Sequence, residues 1–391
     1  MIKINKIDNL DNLNLKNLKI YKPFDKNIIE FLNELSSSLI KNKENLKYPE
    51  IIAFAFWIRR ANLETIEKNL NFLKNEVRIG RGLAFHVPPA NVITGFLYSW
   101  VFGLLSGNSN IIKVPSYNKE FNSKIIGLIN KILSKKKYLN LKKSNHFINY
   151  PNNENINKYL SLNSDCRLIW GGDQTVEYFK SYKTPIKNID LFFSDRYSFS
   201  LIKIDNNTDL KSLAEKFYND AFLMDQNACS SPHLIVWYKT KKNKIEKFWK
   251  ILQNHCSKNY KIDIGNAFKK YESNINNLIK LENFSSLKLN GNHISRLEIK
   301  KLQTNIDNLR GKFGQFFEYK TDDMSFLKIV SKKYQTLSIH GLNKDFIINK
   351  IVSRKLAGID RVVEIGKSNS ITLLWDGYDI VRSLSRIINN E

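Results

Sequence analysis

A chain of 391 residues with 42% hydrophobic and 12% aromatic content can bury a large core, which excludes a disordered chain and suggests two domains. A formal charge of +25 raises nucleic acid or an anionic membrane as partners. The lysines, however, run from Lys3 to Lys367 among Asn, Ile, Tyr and Phe, and the densest clusters, Lys135-Lys136-Lys137 and Lys239-Thr240-Lys241-Lys242, sit beside element ends and read as solvated turns rather than a polyanion groove.

The first 20 residues alternate Leu or Ile with Asn and Lys and read as a strand pair or a loosely held arm. Residues 24–75 read as helices: Ile28, Ile29, Phe31, Leu32 and Leu35 form an amphipathic stripe, followed by helices at 51–62 and 63–73. Residues 87–112 carry no charge, and as one helix they would be long enough to span ~30 Å of hydrocarbon. Pro88-Pro89 blocks a helix at the start, and Gly103, Gly107, Asn108 and Asn110 break its end. The expectation is therefore a buried loop-helix-strand unit and no membrane span.

From Gly80 onward, short β-rich runs at 83–87, 109–114, 146–150, 167–170 and 189–193 are separated by helical segments, the pattern of a parallel sheet covered by helices. A second region follows Ser198: a strand at 199–204, a helix at 209–222, a strand at 233–237 and a helix at 241–260. Further strands and turns are read at 314–327 and 361–375. The three cysteines, Cys166, Cys229 and Cys256, have no CxxC or Cys/His spacing, so neither a disulfide framework nor a metal site is expected. With no secretory apolar stretch after Met1, the expected location is cytoplasmic.

Cys229 lies in Met224-Asp225-Gln226-Asn227-Ala228-Cys229-Ser230-Ser231-Pro232, a polar window between a helix and a strand. A cysteine with small neighbours is commonly inert and buried. Polar neighbours, though, can lower a thiol pKa, and the amides of such a turn can face an oxyanion. Phe85-His86-Val87-Pro88-Pro89-Ala90-Asn91 ends a strand on a rigid turn and presents an amide that would serve as helix cap or as donor. His86, beside a core strand, reads as structural. Trp170-Gly171-Gly172-Asp173 joins a strand to a helix, a junction that admits a pyrophosphate, although it is not GxGxxG and is weak alone.

The order of these pieces carries more. The Val-Pro-Pro-Ala-Asn91 turn, Gly107-Asn-Ser-Asn-Ile-Ile-Lys113-Val-Pro-Ser116, Trp170-Gly-Gly172, the Cys229 segment and Phe313-Gly-Gln-Phe-Phe-Glu-Tyr-Lys-Thr-Asp-Asp323 resemble the succession of motifs in the aldehyde dehydrogenase superfamily, over roughly residues 80–391. Within it, Asp225-Gln-Asn-Ala-Cys229-Ser-Ser-Pro232 and Gly358-Ile-Asp-Arg361 through Trp375-Asp-Gly-Tyr-Asp379 resemble the bioluminescence-type fatty acyl-CoA reductases, the LuxC family. Phe54-Ala-Phe-Trp57-Ile-Arg59-Arg60-Ala-Asn62 is similar to that family's amino-terminal region.

The resemblance implies an aldehyde-dehydrogenase-like α/β fold with two Rossmann-like domains. A helical region at 1–79 would pack on a nicotinamide-cofactor domain at 80–198, a catalytic domain would occupy 199–365, and 366–391 would return to the cofactor domain. It implies Cys229 as nucleophile and Asn91 as side-chain donor to the oxyanion. Val87 and Pro89 would line the cofactor, with Lys113 at the adenosine ribose, Ser116 beside it, Gly171 and Gly172 at the pyrophosphate and Phe313 on the nicotinamide side.

Three departures refine this. Phe192 stands where aldehyde-oxidising relatives carry the glutamate that activates water, consistent with an acyl-cysteine that must survive until hydride arrives. Ser116 replaces a glutamate that would repel a ribose 2′-phosphate, so NADPH is the expected cofactor, with NADH admitted. Gly311 stands where relatives often hold the ribose with a glutamate. The implied activity is reduction of an acyl-CoA or related thioester to an aldehyde, coenzyme A leaving. An acyl-protein synthetase is an implied partner. The alternatives are a CoA-acylating aldehyde dehydrogenase working in the oxidative direction and a basic nucleic-acid-binding protein.

Overall fold

The stripe of Ile28, Ile29, Phe31, Leu32 and Leu35 is the buried face of α1 (Lys26–Lys41) in a computed structural model, which describes residues 5, 6, 15, 18–70, 76–89 and 92–389. Asp25 caps this helix by accepting the Asn27 N–H at 2.9 Å. Next come α2 (Pro49–Trp57), opened by a proline that needs no N–H there, and α3 (Arg60–Asn69). The break falls at Ile58-Arg59, not at Asn62 as the sequence suggested. Asn62 instead reaches back to cap the Trp57 carbonyl at 2.6 Å, while Arg59 is extended. The end of the expected 63–73 helix lies outside the described residues, as does most of the amino-terminal arm, from which Asn5–Lys6 form the short strand β1.

Contacts divide the chain into one unit of Met1–Ser194 with Leu373–Glu391 and another of Asp195–Thr372. In the first, β2 (Val77–Gly80) leads into a parallel sheet of β3 (Leu83–Val87), β4 (Ser109–Lys113), β5 (Asn145–Asn149), β6 (Cys166–Trp170) and β7 (Ile189–Phe193), ordered β1-β5-β4-β3-β6-β7. The chain runs outward from β3 to β5, then crosses to the other side of β3 for β6 and β7. The strand order therefore reverses between β3 and β6, and open α/β sheets bind ligands beyond the carboxyl ends at such a point.

The uncharged stretch after Val87 forms a turn, the wholly buried α4 (Gly95–Leu105) and then β4. Gly95 is required there, because a Cβ would stand 2.5 Å from Pro89 Cγ. Helices α5 (Lys119–Leu133), α6 (Leu139–Lys143), α7 (Glu154–Leu162) and α8 (Asp173–Lys180) complete the layers. His86 is fully buried, its Nδ1 2.9 Å from Ser99 Oγ and its Nε2 3.0 Å from Asn110 Oδ1. Burial pushes its pKa down to about 4, so it is a neutral core residue at physiological pH.

The second unit is a seven-stranded sheet of β8 (Tyr197–Ile202), β9 (Pro232–Tyr238), β10 (Phe284–Asn290), β11 (Ile294–Ile299), β12 (Gln315–Thr321), β13 (Tyr334–His340) and β14 (Arg361–Glu364), ordered β10-β11-β12-β9-β8-β13-β14. Every pairing is parallel except the edge hairpin β10–β11. Helices α9 (Leu210–Ala221), α10 (Lys242–Asn259), α11 (Ile264–Lys280) and α12 (Lys344–Ser353) flank it. One core gathers Leu201, Leu234, Phe317 and Leu337, and the other gathers Phe217, Trp237, Trp249 and Phe316. Within that second layer Glu318 is 3% exposed and accepts the indole N–H of Trp237 and of Trp249, each at 2.7 Å, and Arg296 Nε at 2.8 Å.

The carboxyl end returns to the first unit through β15 (Leu374–Trp375), β16 (Tyr378–Asp379), α13 (Ile380–Leu384) and β17 (Ser385–Ile388). There β17 pairs antiparallel with β2, and Arg78 and Arg81 donate to the Arg382 and Ser383 carbonyls. Among the described residues, no helix is long and apolar enough to cross a membrane.

Candidate active site

Between α9 and β9 the chain turns with positive φ at two consecutive non-glycine residues, Asp225 (52°) and Gln226 (59°). Such residues cost on the order of 1–3 kcal/mol each and persist only where their surroundings fix them. The surroundings here are explicit. The buried Gln226 donates Nε2–H to the Pro232 and Gln315 carbonyls at 2.9 and 2.8 Å, and its Oε1 accepts the Gly314 N–H at 3.0 Å. Tyr260 donates to the Asp225 carboxylate at 2.7 Å, and Phe313 N–H donates to the Asp225 carbonyl at 3.3 Å. The cysteine turn is thus locked to Phe313-Gly314, where φ is again positive at 53° and 86°. Gly311 belongs to the same lock: a Cβ there would stand 1.9 Å from the Gln315 carbonyl, so this backbone leaves no room for a side chain.

Cys229 is half-buried at the mouth of this turn, which Ser231 N–H closes onto the Ala228 carbonyl at 3.0 Å. Ser198 Oγ donates to the Cys229 carbonyl at 2.7 Å, and Ser230 Oγ donates to Asn369 at 2.9 Å. Asn369 is anchored in turn on the Asn219 carbonyl at 2.9 Å. The other two cysteines differ in kind: Cys166 and Cys256 are fully buried, and desolvation pushes both thiols up, Cys256 to about 12.

Behind the turn, Asp220 accepts N–H from Gly366 at 2.7 Å and both N–H and O–H from Ser368 at 2.9 Å. Burial outweighs these bonds and raises its pKa to about 6. With the folded pKa above the unfolded one, the folded state binds more protons across that interval, so stability falls as pH rises from the unfolded pKa through about 6 and is level above it. The Asp220→Asn variant should lack this slope. In urea titrations it is expected to gain up to ~3 kcal/mol on the wild type between acid and neutral pH. An unchanged difference across that range would show that Asp220 does not titrate there.

Gln335 was not singled out from the sequence. It is fully buried at the start of β13, with Nε2 3.4 Å from Cys229 Sγ, within sulfur hydrogen-bond reach, and its Oε1 accepts from Thr336 Oγ1 at 3.2 Å. Two register shifts aim it. Ser198 faces Pro232 while Phe199 faces Leu234, and Tyr197 faces Tyr334 while Phe199 next meets β13 at Leu337. Both neighbours of β8 therefore carry extra residues beside the cysteine, and bulges re-aim side chains. An amide donor at sulfur favours the thiolate. His233, the extra residue on β9, is fully buried. Burial first, then Arg310, pushes its pKa down to about 3, which leaves it neutral.

In the first unit Val87, Pro89, Lys113, Ser116, Gly171 and Gly172 gather at the carboxyl edge of the sheet. The registers His86 to Ile112 and Val87 to Ile169 align the ends of β3, β4 and β6. Lys113 is half-buried, its Nζ 4.5 Å from the Tyr150 ring centroid, and desolvation lowers its pKa. Ser116 is exposed beyond it. Gly172 caps α8, and a Cβ there would meet nothing within 4 Å, so the backbone is open to approach. Asp173 in the first turn works against an anion, while the helix end and Lys113 favour one. Trp170 closes this edge, stacked on Phe193 at 3.7 Å. Phe313 is buried in the second unit, tied to the Asp225 carbonyl, and Asn91 lies outside the described residues. Among the described residues no cluster of His, Cys, Asp or Glu is arranged to hold a metal.

Two α/β units of this topology make an aldehyde-dehydrogenase-like fold. A mutant of 1-pyrroline-5-carboxylate dehydrogenase from Thermus thermophilus is similar with a TM-score of 0.66 at 11% identity, over 96% of this chain and 82% of that one. The aldehyde dehydrogenase KauB from Pseudomonas aeruginosa is similar with a TM-score of 0.60 at 14% identity, over 93% and 82%. Indole-3-acetaldehyde dehydrogenase in complex with NAD+ is similar with a TM-score of 0.62 at 12% identity, over the same shares. At these identities the likeness is one of fold. No curated protein matches the chain in sequence.

The family is given by sequence: the profile of the acyl-CoA reductases (LuxC) matches residues 7–282, and the chain belongs to that family. It is accordingly an oxidoreductase of acyl and aldehyde chemistry.

Proposed function

We propose that the protein reduces an acyl thioester of coenzyme A to the aldehyde, with Cys229 carrying the acyl group and NADPH as the reductant. The observation that carries this reading is the Gln335 amide set against the half-buried sulfur of a cysteine held in a braced, strained turn. In the proposed reaction the Cys229 thiolate attacks the thioester carbonyl, a carbon–sulfur bond forms to the enzyme, and coenzyme A leaves as its thiolate. The backbone N–H of Cys229 and the Asn91 amide take the role of oxyanion donors. When bound, the reduced nicotinamide supplies the hydride that ends the acyl-enzyme as aldehyde and returns the cysteine.

The first unit is the proposed cofactor domain, with Lys113 toward the ribose, Gly171 and Gly172 toward the pyrophosphate, and Val87 and Pro89 lining the same edge. The second is the proposed catalytic domain, with Phe313 on the nicotinamide side. Phe192, half-buried with its ring 5.0 Å from Lys180 Nζ, offers no carboxylate to activate water, in keeping with an acyl-cysteine that must survive until hydride arrives.

The test is NADPH oxidation with a panel of acyl-CoAs, aldehyde being quantified in parallel. Matched consumption and product are expected, and no thioester-dependent oxidation with any donor would refute the proposal. Ser116→Glu sets a carboxylate beside the expected 2′-phosphate. It should raise the KM for NADPH roughly tenfold or more and leave NADH nearly unchanged. Equal shifts for both cofactors would remove Ser116 from the ribose contact.

A further inference from the structure

Neighbouring residues of a β-strand point to opposite faces, so their side chains do not ordinarily bond each other. Gln335 and Thr336 depart from that rule: Thr336 Oγ1 lies 3.2 Å from Gln335 Oε1. The pairing with β8 explains it. Tyr197 faces Tyr334 and Phe199 faces Leu337, so Gln335 and Thr336 together stand opposite the single residue Ser198. Both are buried.

Which end of the Gln335 amide meets the sulfur decides what it does there. Nε2 donates and favours the thiolate, whereas the amide turned over would set a carbonyl oxygen against it. The direction is set from β14. Arg361 pairs with Thr336 in the register of β13 and β14, and its Nη1 lies 3.4 Å from Thr336 Oγ1. A guanidinium has donors only, so this hydroxyl accepts from Arg361 and has its one proton left for Gln335 Oε1. The amide then presents Nε2 to Cys229 Sγ at 3.4 Å. The main chain of Thr336 repeats the logic: its N–H donates to Ser198 Oγ at 3.2 Å, which turns the Ser198 hydroxyl onto the Cys229 carbonyl at 2.7 Å.

The source of this polarity is itself held. Arg361 also donates to the Ser368 and Ser370 carbonyls at 3.1 and 2.9 Å, and Gly366 and Ser368 bind the same segment to Asp220. Asn369 gives its Nδ2 to the Asn219 and Asp220 carbonyls, which leaves Oδ1 to accept from Ser230. Residues 366–370 thus brace Ser230 directly and Gln335 through Arg361 and Thr336.

We propose that Thr336 is a positioning residue for the Cys229 thiolate: its hydroxyl, directed by Arg361, holds the Gln335 amide with the donor end against sulfur. The inference rests on the reading of Cys229 as the nucleophile. A threonine that merely packs is matched by valine, which keeps the shape and loses the hydroxyl. In the relay, valine frees the amide to turn, and serine keeps it fixed.

The charged groups around the relay, Arg361 of β14 and Asp220 of α9, hold their charges above about pH 7, so alkylation of Cys229 by iodoacetamide from there to about pH 10, followed on its own peptide, reports the thiol. Thr336→Val should move this profile upward and slow alkylation near neutral pH about tenfold, the effect expected of Gln335→Ala, with circular dichroism unchanged. Thr336→Ala, which also lacks the hydroxyl, should behave alike, and Thr336→Ser should stay within about twofold of the wild type. In a Gln335→Ala background Thr336→Val should add nothing, because the group it orients is gone. Arg361→Met should shift the profile in the same direction. Alkylation needs neither acyl-CoA nor NADPH, so the relay is tested apart from the reaction: aldehyde formation with unshifted profiles would sink the relay alone, and shifts without aldehyde formation would sink the reaction alone. A Thr336→Ser profile displaced as far as that of valine, additive effects in the double variant, or an unmoved Arg361→Met profile would each overturn the proposal.

Discussion

Replacing Cys229 by alanine is expected to abolish aldehyde formation, because the proposed route has no other nucleophile to carry the acyl group. Cys166 and Cys256 cannot substitute, being sealed in the core with raised thiol pKa values. Gln335→Ala separates the nucleophile from its support. The bond at 3.4 Å disappears while the sulfur stays, so the thiol pKa should rise by roughly one unit, and alkylation of Cys229 by iodoacetamide near neutral pH should slow about tenfold. The pH profile of acyl transfer should shift upward with it, and Gln335→Asn should recover little because its amide is a methylene short. An unshifted alkylation profile would reduce Gln335 to packing, whereas aldehyde formation by Cys229→Ala would remove the nucleophile itself.

The largest effect on stability is expected at Arg296, which has no part in the proposed chemistry. Arg296 and Glu318 are 2 and 3% exposed; Arg296 Nε is 2.8 Å from Glu318 Oε2 and its Nη1 2.7 Å from Glu246 Oε2. Truncating one partner of a buried pair strands the other charge, which costs about 3–5 kcal/mol. Arg296→Ala should lose that much in urea unfolding, and Arg296→Lys, which keeps a cation, should lose less. Glu318 would retain the two indole donors, Trp237 and Trp249, which limits the loss. A loss under ~1 kcal/mol would mean that water reaches the site and solvates the carboxylate.

What the sequence revealed tracks how each residue is used. The strands β3, β4 and β6 are buried but for their last residue and β7 buries Leu191 and Phe193, and short apolar-rich segments of this kind bounded by turn residues announce themselves. The uncharged stretch after Val87 was readable for the same reason, since Pro88-Pro89 and the late glycines rule out a single long helix. The break at Ile58-Arg59 was hidden because neither residue is a breaker; an asparagine side chain makes the stop. Helix α11 was hidden because its apolar stripe faces away from its own core, so periodicity alone does not say what it packs against. Glu318, in Phe316-Phe317-Glu318-Tyr319, reads as the outward residue of a strand and is instead buried, where Arg296, Trp237 and Trp249 donate to it.

The candidate site divides in the same way. The Cys229 window, Gly172 and Lys113 were legible as residue types in suggestive order, and burial then separates Cys229 from the sealed Cys166 and Cys256. Gln335 left a faint trace, a polar Gln-Thr pair inside Tyr334-Gln335-Thr336-Leu337-Ser338-Ile339, where a central strand should be apolar. The register shift that turns it toward sulfur is a property of pairing across β8 and has no local signature.

The most direct test is the intact mass of the protein after incubation with acyl-CoA in the absence of reductant, followed by peptide mapping. The account predicts one acyl group per chain, on the peptide that contains Cys229, stable until NADPH is added and then discharged as aldehyde. An acyl group mapped to another residue, or no adduct in a preparation that still makes aldehyde, would contradict it.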